Sequence, residues 1–338
     1  MAQPGGAPLA QSRTMSAPHA ALPSPPSGRP LIVRLCNMVG DVVLGLPALQ
    51  LLRDQGWSLH LYGKGWAPKL LAGEDWPCTV RAGSLGERVA QLKALGATCR
   101  AQDPTFDSRI NTLLMPNSFS SAFEPRWAGL RPAGYAGDGR SLLLRPAWRR
   151  DPPGHALEGF WGLACRLSGV TAPPPSRLHL RVREQDQAEA DQLLAAQGLP
   201  PGFICIVPYA AGDVDGKDKR WPDFPAFTAA LAQATDRPIV TCPGPGEEAV
   251  AQLHPAALSL PRLSLGTYLG VLKRAGLVIS NDTGPAHMAA AVGTPVLSTL
   301  GPTKPEQWRP WGPQNRILQG REGRLWPTVD EVLREVMA

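Results

Sequence analysis

The sequence predicts an α/β protein made of two Rossmann-like halves. Three observations carry this. Strand-like and helix-like segments alternate from residue 31 onward. The alternation pauses at Pro173-Pro174-Pro175, a stiff connector, and then restarts in the same style. The 338 residues are enough for two domains at about 100–200 residues each. Such alternation builds a parallel sheet with helices on both faces.

Residues 1–30 hold seven Pro and three Gly among Ala, Ser and Gln. They cannot bury enough surface to offset the entropy of ordering, so a disordered tail is expected. Met15 offers a second possible start. Residues 31–175 then form the first domain and 176–338 the second. In the first, 31–35 is a β-rich run and 36–41 a loop. A helix follows with apolar residues at Val42, Val43, Leu46, Leu49 and Leu52. Pro47 falls inside that helix, where a proline costs stability or forces a kink. Strands 59–62 and 110–115 follow, with a helix over 87–95 between them. The second domain opens on a polar-faced helix, 184–197. Strands at 203–207, 238–242, 277–280 and 296–300 then alternate with helices at 224–234, 267–275 and 285–292. A helix over 328–337 closes the chain.

Composition narrows the function. The chain carries 35 Gly and 37 Pro, about a fifth of its residues where about an eighth is usual, which implies many short connections. Its net charge is +6, with Arg far outnumbering Lys. That balance favours anionic partners: nucleic acid, phosphosugars or an acidic membrane face. The six cysteines are scattered with no C-x-x-C pair, as small hydrophobes in a reducing compartment would be. No apolar run approaches the roughly 18 residues of a membrane span, and the start lacks a signal-peptide core. A cytoplasmic protein is expected, with peripheral membrane attachment open.

Four segments carry candidate chemistry. Gly40-Asp41 lies where the first strand gives way to a helix, and ligands bind at the carboxyl ends of strands in open α/β sheets. Asp41 is either a helix cap or a general base for a hydroxyl. No G-x-G-x-x-G is present, which disfavours a dinucleotide. Residues 280–287 follow a strand and open a helix. Pro285 suits the first helical position, making Gly284 the expected N-cap. The amides of Gly284, Ala286 and His287 would then face an anion, with Thr283 adding a hydroxyl. Residues 216–222 hold Lys217, Lys219 and Arg220, either a phosphate-holding loop or an exposed basic turn. Asp213-Val214-Asp215 resembles a metal-binding pair, but the neighbouring lysines can supply its charge, and no metal is expected. Last, Arg126, Arg131, Arg140, Arg145, Arg149 and Arg150 share a stretch whose one acid is Asp138. It suits an acidic acceptor or anionic headgroups, or is a solvated surface. No nucleic-acid module accompanies it, so nucleic acid is not expected.

Together these segments resemble the glycosyltransferase family that contains the lipopolysaccharide heptosyltransferases. The resemblance rests on Gly40-Asp41 with Leu46-Pro47-Ala48-Leu49, on Lys219-Arg220-Trp221-Pro222, and on residues 280–303. Residues 114–119 and 134–140 are similar to the second heptosyltransferase type in particular. The resemblance implies a GT-B fold, two Rossmann-like domains facing across a cleft, with no metal or cofactor. It implies an ADP-heptose donor, a lipopolysaccharide inner-core acceptor, and a place on the cytoplasmic face of the inner membrane. By position, Asp41 matches the catalytic base and Lys219 the diphosphate contact. Asp282, Thr283, Gly284 and His287 match the donor signature, Leu263 the adenine contact, and Glu247 or Glu248 the ribose acid. Asn117, Ser118 and Arg140 are expected on the acceptor. Where some members carry hydroxyls, this chain has Ala210-Ala211-Gly212, and the amides of Gly212 and Gly216 are candidate substitutes. Two rivals share the architecture: a nucleotide-sugar epimerase, and a non-catalytic binder of sugar nucleotide or lipid carbohydrate.

Overall fold

The computed structural model describes residues 28–137, 139–151 and 154–338. The Pro-rich stretch expected to be disordered lies outside them as far as residue 27. The first half runs β1 (Arg29–Arg34), α1 (Val39–Leu44), α2 (Leu46–Asp54), β2 (Trp57–Gly63), α3 (Ala67–Leu70), β3 (Cys78–Val80) and α4 (Leu85–Gln102). It continues with β4 (Thr112–Leu114), α5 (Phe119–Trp127), β5 (Pro132–Tyr135), β6 (Ala147–Trp148) and α6 (Ala156–Ser168). The second half runs α7 (Glu184–Ala196), β7 (Ile204–Val207), β8 (Asp213–Val214), β9 (Lys217–Asp218), α8 (Phe224–Ala234), β10 (Ile239–Thr241), α9 (Glu248–Ala251) and β11 (Leu258–Ser259). It closes with α10 (Leu265–Arg274), β12 (Leu277–Ser280), α11 (Gly284–Ala291), β13 (Val296–Thr299), α12 (Pro305–Trp308), β14 (Arg316–Leu318) and α13 (Val329–Met337).

The first sheet has the order β3-β2-β1-β4-β5-β6 and the second β11-β10-β7-β12-β13-β14. All neighbours in both are parallel. Counted within each half, both sheets have the strand order of a Rossmann fold, whose ligands bind where the order reverses. Those points are the β1/β4 and β7/β12 junctions. The central strands are buried on both faces, which is why 31–33, 204–207 and 277–279 read as apolar runs. β1 begins at Arg29, two residues before the expected start, because Arg29 and Pro30 already pair with Trp57 and Ser58.

The expected single helix after β1 is two. α1 ends at Gly45 and α2 begins at Leu46, so Pro47 is the second residue of a new helix. A proline in the first turn costs no hydrogen bond, and the expected penalty disappears.

One cluster of buried side chains crosses the halves, from Leu49 and Leu157 in the first to Phe203, Leu272 and Ala289 in the second. The connector is fastened on both sides. The Trp311 indole donates to the Pro175 carbonyl at 2.8 Å, and Gln50 donates to the His179 carbonyl at 2.8 Å. The Leu180 amide reaches the Ala291 carbonyl at 2.8 Å. Arg181 donates its amide to the buried Glu74 carboxylate at 3.0 Å.

The starts of α1 and α11 meet directly across the halves. A Cβ on Gly40 would lie 2.8 Å from His287 Cδ2, and one on Gly284 3.3 Å from Val39 Cβ. Each helix therefore presents a glycine to the other. Gly40→Ala should cost about 1–3 kcal/mol of stability by overpacking this contact. Gly86→Ala, in the first turn of α4 with open space around it, should be neutral or gain about 0.5–1 kcal/mol. Urea unfolding of the two variants measures the contrast.

Candidate active site

Four loops at the two reversal points converge on one place. The loop after β1 leads into α1 with Asp41, and the loop after β4 carries Asn117 and Ser118. The segment after β7 carries Lys219, and the one after β12 carries Asp282 and the start of α11. Asp41 is the third residue of α1, and Met38 is the N-cap without a side-chain bond. Asp41 is therefore not the cap that one reading of the sequence allowed, and its carboxylate is left for other work.

On one side of Asp41 lies a cleft of about 650 Å³ lined by Gly40, Asp41, Lys219, Asp282, Thr283, Gly284 and His287. Lys219 Nζ sits 3.2 Å from Asp282 Oδ2, and the Thr303 hydroxyl donates to the same oxygen at 2.8 Å. The basic segment is no simple turn: β8 and β9 form a short antiparallel hairpin, and Lys219 follows directly after it. The expected role of the Gly216 amide is not realised, because it donates to Asp213 Oδ1 at 3.0 Å within that hairpin. At α11 the N-cap is Thr283, not Gly284, and Pro285 is the second helical residue. The Ala286 amide, expected to face a ligand, turns back to the Thr283 carbonyl at 3.1 Å. No side chain caps α11, so the Thr283 hydroxyl and the first amide of the helix remain available to an anion.

On the other side of Asp41 lies a cavity of about 500 Å³ lined by Asn117, Ser118, Met115, Tyr135, Arg150 and Phe160. Met38, Asp41 and Trp308 belong to both linings. Arg140, expected to touch an acceptor, is fully buried. It donates to the Pro116 carbonyl at 2.7 Å. It therefore supports the loop bearing Asn117 and Ser118 from beneath. Of the Arg-rich stretch, Arg150 is the residue that lines this cavity.

The electrostatics single out two groups. Burial, reinforced by the negative charge of Asp282 and opposed by Lys219, raises the pKa of Asp41 above its ordinary value. Burial lowers His287 to about 4, so its imidazole is neutral near pH 7. Its Nδ1 is buried and finds no hydrogen-bond partner among the described residues.

Glu247, Glu248 and Leu263 do not line the cleft. They sit further along the same rim, after β10 and β11. Glu247 is half-buried and accepts the Gly244 amide at 2.8 Å, whereas Glu248 is exposed and accepts that of Gly246 at 2.9 Å. Leu263 packs against the edge of the main core.

Two contributors were missed in the sequence. Thr303 holds Asp282, as above. Asn281 is fully buried and joins four segments. Its side chain accepts the Trp221 amide at 3.0 Å and the Thr299 hydroxyl at 3.3 Å, and donates to the Pro208 carbonyl at 2.7 Å. Its own amide donates to the Val207 carbonyl at 3.2 Å. An amide side chain between two strand ends and a basic loop was the available signal. Asn281→Ala would leave a buried N–H and a buried carbonyl unpaired, each costing about 1–3 kcal/mol. We expect a lowered melting temperature, read by differential scanning calorimetry.

The family model described as "Glycosyltransferase family 9 (heptosyltransferase)" matches residues 105–332. Lipooligosaccharide heptosyltransferase 2 of Haemophilus influenzae is 26% identical over 322 residues, covering 86% of this chain and 88% of that protein. Among solved structures, a glycosyl transferase family 9 protein from Veillonella parvula superposes with a TM-score of 0.76 at 17% identity, covering 91% of this chain and 96% of that one. E. coli ADP-heptose lps heptosyltransferase II gives 0.71 at 20% identity, covering 91% and 97%. These superpositions carry the fold, and the expected GT-B architecture holds. With the family match spanning more than half its length, the chain belongs to glycosyltransferase family 9 and is a glycosyltransferase.

Proposed function

We propose that the protein transfers a heptose from ADP-heptose to a lipopolysaccharide inner-core acceptor, with inversion and without a metal, on the cytoplasmic face of the inner membrane. The observation that carries this reading is the position of Asp41 on a wall shared by two cavities. A direct displacement needs a base that reaches the acceptor oxygen while the donor's anomeric carbon lies within bonding distance. A donor-only isomerase would have no use for the second cavity. The curated relatives named as heptosyltransferases supply the sugar and the acceptor class.

In this mechanism the acceptor hydroxyl gives its proton to an Asp41 carboxylate oxygen as its own oxygen attacks the anomeric carbon. The bond from that carbon to the diphosphate oxygen breaks, and the nucleoside diphosphate leaves with the electron pair. Lys219 and the start of α11 stabilise the negative charge growing on the leaving group. The Thr283 hydroxyl and the neutral His287 add hydrogen-bonding capacity without a further charge. By the family resemblance, Glu247 is assigned to the ribose and Leu263 to the adenine. Asn117, Ser118 and Arg150 line the acceptor side.

Turnover with ADP-heptose and a core acceptor from a heptose-deficient strain, followed by mass spectrometry against other nucleotide sugars, tests the assignment. Isomerised donor without transfer would instead identify an epimerase. Asp41→Asn should lower kcat by roughly 10²–10⁴ with ADP affinity little changed. In the parent enzyme kcat/KM should fall as pH drops, because the base must be deprotonated. The midpoint should lie above the usual aspartate range, since burial raises Asp41. A profile flat down to that range would remove the base assignment. Lys219→Ala should weaken ADP binding in calorimetry, and unchanged affinity would count against its role.

A further inference from the structure

The outer face of α5 is aromatic and cationic. Phe119, Phe123 and Trp127 follow one another at four-residue spacing, with ring centroids 6.1 and 4.9 Å apart. They form a stripe about 12 Å long at 1.5 Å per residue. Phe119 is 48% exposed and Trp127 65%. Their helix packs against the turn Arg140–Leu142, whose Leu142 is 82% exposed. Exposed large apolar groups gathered in this way mark a contact surface. The sole acid of α5, Glu124, is buried and paired with Arg88 at 2.8 Å, while Arg126 is exposed between the aromatic residues. The outward face of α5 therefore carries a positive charge and no carboxylate.

The stripe also starts at the acceptor cavity. Ser118 caps α5, its hydroxyl accepting the Ser121 amide at 3.4 Å, and it lines that cavity together with Asn117. One short segment thus joins a sugar-sized cavity to an aromatic, cationic surface. We infer that the α5 face docks the protein on an anionic lipid bilayer, with Phe119, Trp127 and Leu142 entering the interface and Arg126 meeting lipid phosphates. This rests on the proposed acceptor being a glycolipid: its acyl chains stay in the bilayer beside α5 while its sugar head reaches Asn117 and Ser118. Aromatic rings suit the interfacial region, having an apolar body and tolerance of a polar edge. Positive charge adds attraction that salt weakens.

Co-sedimentation with vesicles tests this without donor or acceptor. The parent protein should bind phosphatidylglycerol–phosphatidylethanolamine vesicles more tightly than phosphatidylcholine vesicles, and less tightly as salt rises. Phe119→Ser with Trp127→Ser should weaken binding at least about tenfold, since the two exposed aromatic rings together lose more than about 1.4 kcal/mol of apolar burial. Leu142→Asp, at a side chain too exposed to affect folding, should weaken it as well. Leu253→Ser, at an exposed leucine of the second half, should not. Equal binding by all four proteins would overturn the inference. So would a stripe-dependent dimer in sedimentation velocity with vesicle binding unaffected. Transfer to a deacylated, water-soluble acceptor should be unchanged in the stripe variants. Loss of transfer to every acceptor in the parent would count against the proposed function and leave the vesicle result standing.

Discussion

The site depends on one contact, the meeting of α1 and α11 through glycine. Gly40 lies against the His287 ring and Gly284 against Val39. Each glycine sits beside the residues to which the proposed mechanism gives chemistry: Gly40 precedes Asp41, and Gly284 follows Asp282 and Thr283. The distance between Asp41 of one half and the 282–284 turn of the other is thus set by close approach at these glycines. The same contact buries His287 and keeps its ring neutral.

Around this contact the two carboxylates are treated differently. Asp282 is met by a lysine and a threonine hydroxyl from two other loops. No ion pair forms on Asp41 among the described residues, and burial pushes its pKa up. Holding one acid in a hydrogen-bonded setting and another in a desolvated one is how a site assigns separate roles to identical groups. In the proposed mechanism Lys219 is shared between Asp282 and the charge of the donor, so that anion binding would compete with this ion pair. Asn281 makes the arrangement rigid, because its four hydrogen bonds set the β7 end, the basic loop and the β12 end in one register.

Much of this was legible in the sequence because periodicity and strand ends are strong signals. Residues 224–234 and 277–280 were placed to the residue, and Asp41, Lys219 and the 282–287 turn were brought together as expected. The misses have physical causes. Pro47 reads as an interior proline because the apolar spacing continues from Val42 to Leu52, while Gly45 breaks the helix between them. Proline favours the first helical position, which points to Gly284 as the N-cap; Pro285 stands second instead, and Thr283 is the N-cap. The sequence signal for α5 is weakened by Pro125 inside it, whereas α6 carries one in the His155–Glu158 capping box at its start. Arg140 looked like a ligand contact because a sequence shows charge and not depth. Its guanidinium is instead spent under the Pro116 carbonyl, where it shapes the acceptor side through the backbone.

The decisive measurement is the structure of a ternary complex holding ADP, or an unreactive fluorinated sugar-nucleotide, together with a core acceptor fragment. The account predicts diphosphate between Lys219 and the start of α11, acceptor sugar against Asn117 and Ser118, and an acceptor hydroxyl within hydrogen-bond distance of the Asp41 carboxylate. An acceptor bound on the far side of Trp308, or an Asp41 carboxylate in contact with donor alone, would contradict it.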